Sequence, residues 1–279
     1  MQDAALTAVF DRRAIPAHAR ESGWQAADGH RVRRIDWPGA GVDGARGSIL
    51  FLLGRDAVTG HVEHFGVWLD DLAALWSAWT AETPGPHVLA GHSMGGHLVL
   101  RALVDGLVAP DAAVLSAPMT GVNGPPLPLP VLHGVARAMN RVGEPTRQAW
   151  KWSEKPGELP TGRANLLTHD AERYADEAWW RDHRPELVMG PASWRWVEAA
   201  YASWRRLEAP GALEGVDVPV LLLSTSADRL VSHPANLRAA RRLPRGEMMA
   251  FGAEAHHEIL REVDAVRDRA MNGIAEFLD

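Results

Sequence analysis

The stretch Gly91-His92-Ser93-Met94-Gly95 constrains this chain more than any other. An apolar run, Val88-Leu89-Ala90, leads in, and Gly96-His97-Leu98-Val99-Leu100 leads out. A Gly-x-Ser-x-Gly turn between a strand and a helix needs a sharp backbone reversal, which the glycines permit. It pushes the serine hydroxyl out at the strand's C-terminal end. The following helix aims its N-terminus at that hydroxyl, where the Met94 N–H can help hold an oxyanion. Ser93 is therefore the candidate nucleophile. The competing expectation is a glycine-rich turn whose serine only caps a helix.

The rest of the chain reads as an α/β fold around this turn. Ser48 to Leu53 is a continuous apolar run, as expected of a parallel strand covered on both faces. From His64 to Glu82, Phe65, Trp68, Leu69, Leu72, Leu75, Trp76 and Trp79 recur at helical spacing. Strands are expected at 88–90, 112–116, 218–224 and 248–251, with helices at 94–108, 234–243 and 259–278. This alternation implies a mostly parallel sheet with helices on both faces. Trp24 to Trp37 reads as a hairpin around Asp28-Gly29, and residues 1–22 as a loosely structured arm.

Between Met119 and Gly215 the texture changes. Pro125-Pro126-Leu127-Pro128-Leu129-Pro130 opens it, and seven of the twelve tryptophans fall between Trp150 and Trp204. We expect a helical, Trp-rich cap at 119–215 inserted between two parts of the core, 1–118 and 216–279. Large rings with one polar handle suit a pocket for an amphipathic ligand, although core packing is the ordinary use of any one tryptophan.

Composition excludes several classes. The chain has 279 residues, a net charge of -6 and no cysteine. Nothing marks a nucleic-acid surface, a disulfide framework or a thiolate site. Met1 to Ala5 shows no basic region followed by an apolar core, and no apolar stretch reaches the ~20 residues of a membrane helix. A cytoplasmic protein is expected. His61-Val62-Glu63-His64 lacks helical metal-ligand spacing and a third ligand, so no metal is expected there.

A serine hydroxyl needs a base, and the base an acid that fixes its tautomer. In a parallel sheet these come from loops after strand C-termini. Asp228 follows the 218–224 strand, and His256 and His257 follow 248–251. Asp111 and Asp217 precede their strands and are worse placed.

These residues carry a resemblance. Gly91 to His97, Leu223 to Val231 with Asp228, and His257-Glu258-Ile259-Leu260 with Glu262 resemble the lysophospholipase and monoacylglycerol-lipase group of α/β-hydrolases, in particular its bacterial lysophospholipase L2-like branch. So do Leu167-Thr168-His169-Asp170, Arg173-Tyr174, Trp179-Trp180 and Gly190 to Trp194. The resemblance implies an α/β-hydrolase fold and cofactor-free hydrolysis of lysophospholipid or monoacylglycerol acyl esters. It makes His257, directly before the glutamate, the base in the order Ser93, Asp228, His257. A small-ester hydrolase or peptidase on the same scaffold is the nearby alternative. Peripheral contact with the inner face of the membrane is compatible with it, as is a homodimer.

One departure matters. Relatives have two strand-helix crossovers between the strand ending at Leu53 and the one starting at Val88, each taking about 30 residues. This interval holds one. The missing unit would lie near Gly54-Arg55-Asp56, where relatives place the second oxyanion donor, the backbone N–H of Arg55 here. Apolar sheet surface is expected to be uncovered there. The triad is expected intact and the oxyanion hole impaired, which gives a further alternative, a catalytically impaired relative that binds lipid or a partner.

Overall fold

The computed structural model describes residues 11–38, 47–53, 61–124, 127–149, 163–185 and 191–279. The chain divides into two units, 1–43 and 44–279. The first unit carries a hairpin, β1 (Arg20–Gln25) and β2 (Arg31–Asp36), paired antiparallel. Asp28 takes the His30 N–H on its side chain at 2.8 Å, and Gly29 turns through φ +88°. The hairpin begins at Arg20 rather than Trp24. Arg20 to Gly23 are polar or small and carry no apolar alternation, so only their partners Arg33 to Asp36 define them as strand.

The second unit is built on a five-stranded sheet of order β3-β4-β5-β6-β7, all parallel. Its strands are β3 (Ser48–Leu52), β4 (His87–His92), β5 (Ala112–Ser116), β6 (Val220–Thr225) and β7 (Gly246–Phe251). Helix α1 (Gly66–Glu82) joins β3 to β4, and α2 (Met94–Val104) follows β4. Between β5 and β6 lie α3 (Leu129–Arg141), α4 (Ala164–Leu167), α5 (Ala171–His183) and α6 (Trp194–Glu208). Helix α7 (His233–Arg242) joins β6 to β7, and α8 (Asp264–Leu278) closes the chain.

Each strand sends alternate side chains to opposite faces. On one face Leu89, Ala113, Leu115, Val220 and Leu222 join Leu69, Leu72, Trp76 and Trp79 of α1 and much of α2 in the main core. Trp196 and Trp204 of α6 belong to this core, and Trp204 donates its indole N–H to the Met119 carbonyl at 2.7 Å. On the other face Val88, Ala90, Val114, Leu221 and Leu223 pack beneath Val266 and Ala270 of α8.

β3 is the exception. Leu50 and Leu52 pack on the main core, but Ile49, Phe51 and Leu53 are 55, 42 and 67 % exposed. Among the described residues a single helix links β3 to β4, and β3 pairs on one side only, with β4. The α8 face of the sheet is thus uncovered at its β3 edge.

The expected closing helix at 259–278 is interrupted. A 3-10 turn, Ile259–Arg261, ends at Glu262, whose backbone is extended, and α8 starts at Asp264. The Glu262 side chain is fully buried and accepts backbone N–H groups from other segments. That burial turns the chain out of helix where periodicity alone would continue it.

Candidate active site

The turn after β4 is tight for reasons visible atom by atom. A Cβ on Gly91 would lie 2.7 Å from the Gly95 carbonyl carbon and the Gly96 nitrogen. One on Gly95 would lie 2.4 Å from the Leu52 carbonyl oxygen and 2.7 Å from that of Leu53, so the end of β3 presses against the start of α2. Ser93 itself sits at φ 54°, ψ −118°, a conformation costing a side-chain-bearing residue about 1–3 kcal/mol. Its neighbours hold it there. The Ser93 N–H donates to the Ser116 carbonyl at 3.0 Å, and its carbonyl accepts from His97 N–H (3.0 Å) and Met119 N–H (2.9 Å).

The strain delivers the hydroxyl to an imidazole. Ser93 Oγ lies 3.0 Å from His257 Nε2, and His257 Nδ1 lies 2.7 Å from Asp228 Oδ2. His257 and Asp228 are buried, while Ser93 keeps partial access to solvent. The other Asp228 oxygen accepts the N–H groups of Leu230 (2.8 Å) and Val231 (2.9 Å). Both oxygens are therefore committed, and the carboxylate cannot swing away from the ring. His257 Nδ1–H donates to the acid, which leaves the Nε2 lone pair for the serine proton. The arrangement can make Ser93 Oγ nucleophilic and return the proton to a leaving group.

Met94 is buried and opens α2, so its backbone N–H belongs to the first turn, whose N–H groups have no carbonyl partner within the helix. Arg55, the expected second donor, lies outside the described residues.

Several supporting residues escaped the sequence reading. Asn123 donates from Nδ2 to the backbone carbonyls of Asp228 (2.8 Å) and Val231 (3.1 Å), clamping the acid's turn. Thr225 Oγ1 contacts the Gly252 and Ala255 carbonyls at 2.8 and 2.7 Å, tying that turn to the histidine loop. His92 stands beside the base, with ring centroids 4.8 Å apart and its Nε2 3.4 Å from the His257 carbonyl oxygen. Burial, then the His257 charge, lowers the His92 pKa to about 3, so this ring is neutral. No motif marks Asn123, and Thr225 falls within the Leu223 to Val231 stretch with no role of its own assigned. His92 was in view, but only as the variable position of the serine turn.

The segment between β5 and β6 is stitched onto the histidine loop. His257 N–H donates to the Leu166 carbonyl (3.3 Å), Glu258 N–H to that of Leu167 (2.8 Å), and Thr168 Oγ1 to that of Arg261 (2.8 Å). Asp170 caps α5 through the Arg173 N–H at 3.0 Å. Burial raises the Glu258 pKa. His61 of the discounted metal motif turns to Ser193 Oγ at 2.9 Å, and Glu63 pairs with Arg195 at 3.0 Å.

The sequence matches the profile of the serine aminopeptidase S33 family across residues 23–264. The chain belongs to this family of α/β-hydrolases. It is 28 % identical to lysophospholipase L2 of Escherichia coli strain K12, a match covering 90 % of this chain and 73 % of that protein. Its fold is similar to that of a soluble variant of the Saccharomyces cerevisiae monoglyceride lipase, with a TM-score of 0.65, 17 % identity and coverage of 86 and 88 % of the two chains. A thermostable carboxyl esterase from Bacillus coagulans gives a TM-score of 0.69 at 16 % identity, covering 93 and 97 %. The family member described here is thus a hydrolase of the lipase and esterase type, with a lysophospholipase as a relative of modest identity.

Proposed function

We propose that this protein is a serine hydrolase that cleaves a carboxylic ester of a lipid, a lysophospholipid or a monoacylglycerol, through an acyl-enzyme on Ser93. The observation that supports this most is the hydrogen-bonded chain from Ser93 Oγ through His257 to Asp228, at 3.0 and 2.7 Å. Ser93 attacks the carbonyl as His257 takes its proton. The tetrahedral oxyanion rests on the Met94 N–H and, by resemblance, on that of Arg55. Collapse returns the proton to the departing alcohol, and water repeats the sequence to release the fatty acid. No cofactor enters. The lipid assignment draws on the similarity to lysophospholipase L2. The helical segment 119–215 acts as the cap that receives the acyl chain. Among the described residues no helix is long and apolar enough to cross a membrane, so the lipid is met at a surface or in solution.

A second reading has one observation in its favour, the uncovered β3 edge with Ile49, Phe51 and Leu53 exposed. It makes the chain an impaired relative that binds lipid or a partner. A rate series decides. Nitrophenyl esters of increasing acyl length and a lysophospholipid are given to the wild type and to Ser93→Ala. The proposal requires turnover that rises with acyl length and vanishes in the variant. Short esters cleaved best would favour the small-ester or peptidase reading. Lipid retained equally by both proteins, without turnover, would favour the binding reading.

A further inference from the structure

Three ligating side chains that the proposed hydrolysis leaves unused meet where the β5–β6 segment touches the histidine loop. His169 comes from the turn before α5, His256 directly precedes His257, and Glu262 ends the 3-10 turn. One ligand atom from each lies within 4.8 Å of the other two. The His169 and His256 rings stack, with centroids 3.8 Å apart and planes at 24°.

Glu262 is the anchor. Its side chain is completely buried. Oε1 accepts from the His256 N–H at 2.8 Å, and Oε2 from those of His169 (3.0 Å) and Val263 (3.3 Å). His169 Nδ1 lies 3.0 Å from Oε1. The carboxylate is therefore held in place by backbone groups, much as an outer shell orients a metal ligand. Arg173 is close, but its guanidinium goes to the Glu262 backbone carbonyl and to Asp170 and Asp264, not to the Glu262 carboxylate. His256 Nδ1 is buried and has no hydrogen-bond partner among the described residues. An imidazole nitrogen left in that state is unfavourable unless something pairs with it. His169 is 39 % exposed on its side chain, which gives an aquated cation a way in. The Arg229 charge opposes a cation beside His256, and the larger effect of the Glu262 charge favours one.

We infer that His169, His256 and Glu262 form a binding site for one divalent transition cation of the zinc type, bridging the β5–β6 segment to the loop that carries the base. Two imidazoles and one carboxylate, with a water in the fourth position, are a zinc donor set. Tetrahedral ligands at zinc lie about 3.3 Å apart, given Zn–N bonds of about 2.0 Å. The three donors lie within 4.8 Å of one another, wider than that spacing, so binding draws the exposed His169 ring in and opens its stack on His256. Calcium and magnesium, which prefer oxygen donors, are excluded by the two imidazoles. This site stands apart from the hydrolase reading, and its test does not need turnover.

The full chain is stripped with a chelator and titrated with cobalt(II), followed by its visible d–d absorption, and with zinc by calorimetry. One equivalent is expected to bind with the intense bands of a tetrahedral cobalt site. His169→Phe changes a half-exposed ring and keeps the stack, and binding is expected to weaken about a hundredfold or more, on the scale of losses seen when metal-site partners are removed. His256→Phe is expected to do the same. Ser93→Ala and His257→Ala are expected to bind as the wild type does. Absence of stoichiometric cobalt or zinc binding would overturn the inference. So would equal binding in the two phenylalanine variants, or binding abolished by His257→Ala, which would place the cation at the triad.

Discussion

Replacing Asp228 by asparagine isolates what the acid does for the base. The carboxylate now uses one oxygen for the Leu230 and Val231 N–H groups and the other for His257 Nδ1 at 2.7 Å. An asparagine of the same shape must keep its carbonyl on the two N–H groups, since turning it round would set its NH2 against both donors. Its NH2 then faces His257 Nδ1, which has to be unprotonated to accept. The imidazole proton moves to Nε2, where it donates to Ser93 Oγ and can no longer take the serine proton. The analogous wrong-tautomer change in a serine protease costs about ten-thousand-fold in kcat, or about 5 kcal/mol of barrier. We expect a loss of that order in Asp228→Asn, with Tm close to the wild type because every hydrogen bond of the turn survives. Asp228→Ala, by contrast, orphans the two N–H groups and the His257 ring, at about 1–3 kcal/mol for each buried group left unpaired. It is expected to lose both stability and activity. Nitrophenyl ester hydrolysis with calorimetry on both variants checks this. An Asp228→Asn protein that keeps a tenth or more of wild-type kcat would refute the reasoning about the tautomer.

Three further outcomes follow from the same geometry. Gly95→Ala puts a Cβ 2.4 Å from the Leu52 carbonyl oxygen, a backbone clash, and is expected to cost about 1–3 kcal/mol in denaturant unfolding with reduced activity. Burial lowers the pKa of His92 and of fully buried His97 to about 3, whereas both rise to the usual 6.5 on unfolding. The unfolded chain therefore binds the extra protons, and stability present above pH 6.5 is lost as pH falls toward 3, by up to about 1.4 kcal/mol per pH unit for each ring. Urea midpoints should drop from pH 7 to pH 5, and His97→Asn should flatten that slope. Phe51→Lys puts a charge on the uncovered β3 edge, where the side chain is already 42 % exposed. It is expected to lower self-association in light scattering and leave ester turnover unchanged.

How much the sequence disclosed depended on how local each signal was. The serine turn is a five-residue pattern, and its glycines are required by contacts within the turn and with the adjacent strand. Asp228 and the His256-His257 pair were legible because strand ends in a parallel sheet leave few places for an acid and a base, and the family resemblance singled out His257. The contacts of Asn123, Thr225 and Glu262 were not, because each reaches backbone groups distant in sequence, although Glu262 and the stretch holding Thr225 carried the resemblance. Glu262 shows the cost most clearly. Apolar spacing runs from Ile259 through Val266 and Ala270, yet a carboxylate drawn under the histidine loop interrupts the helix. The start of the hairpin at Arg20 escaped for a related reason, since a polar strand is defined only by its partner. The short interval between β3 and β4 was visible as a length, and its consequence, apolar side chains left in solvent on one face of β3, follows from the period of two along a strand.

The central claim is that Ser93 is the nucleophile of a working triad. Its most direct test is labelling of the folded protein with a fluorophosphonate, followed by peptide mass mapping. One adduct per chain is expected, on Ser93, absent in Ser93→Ala and strongly slowed in His257→Ala. Folded wild-type protein that takes no label, or that carries it on another serine, would contradict it.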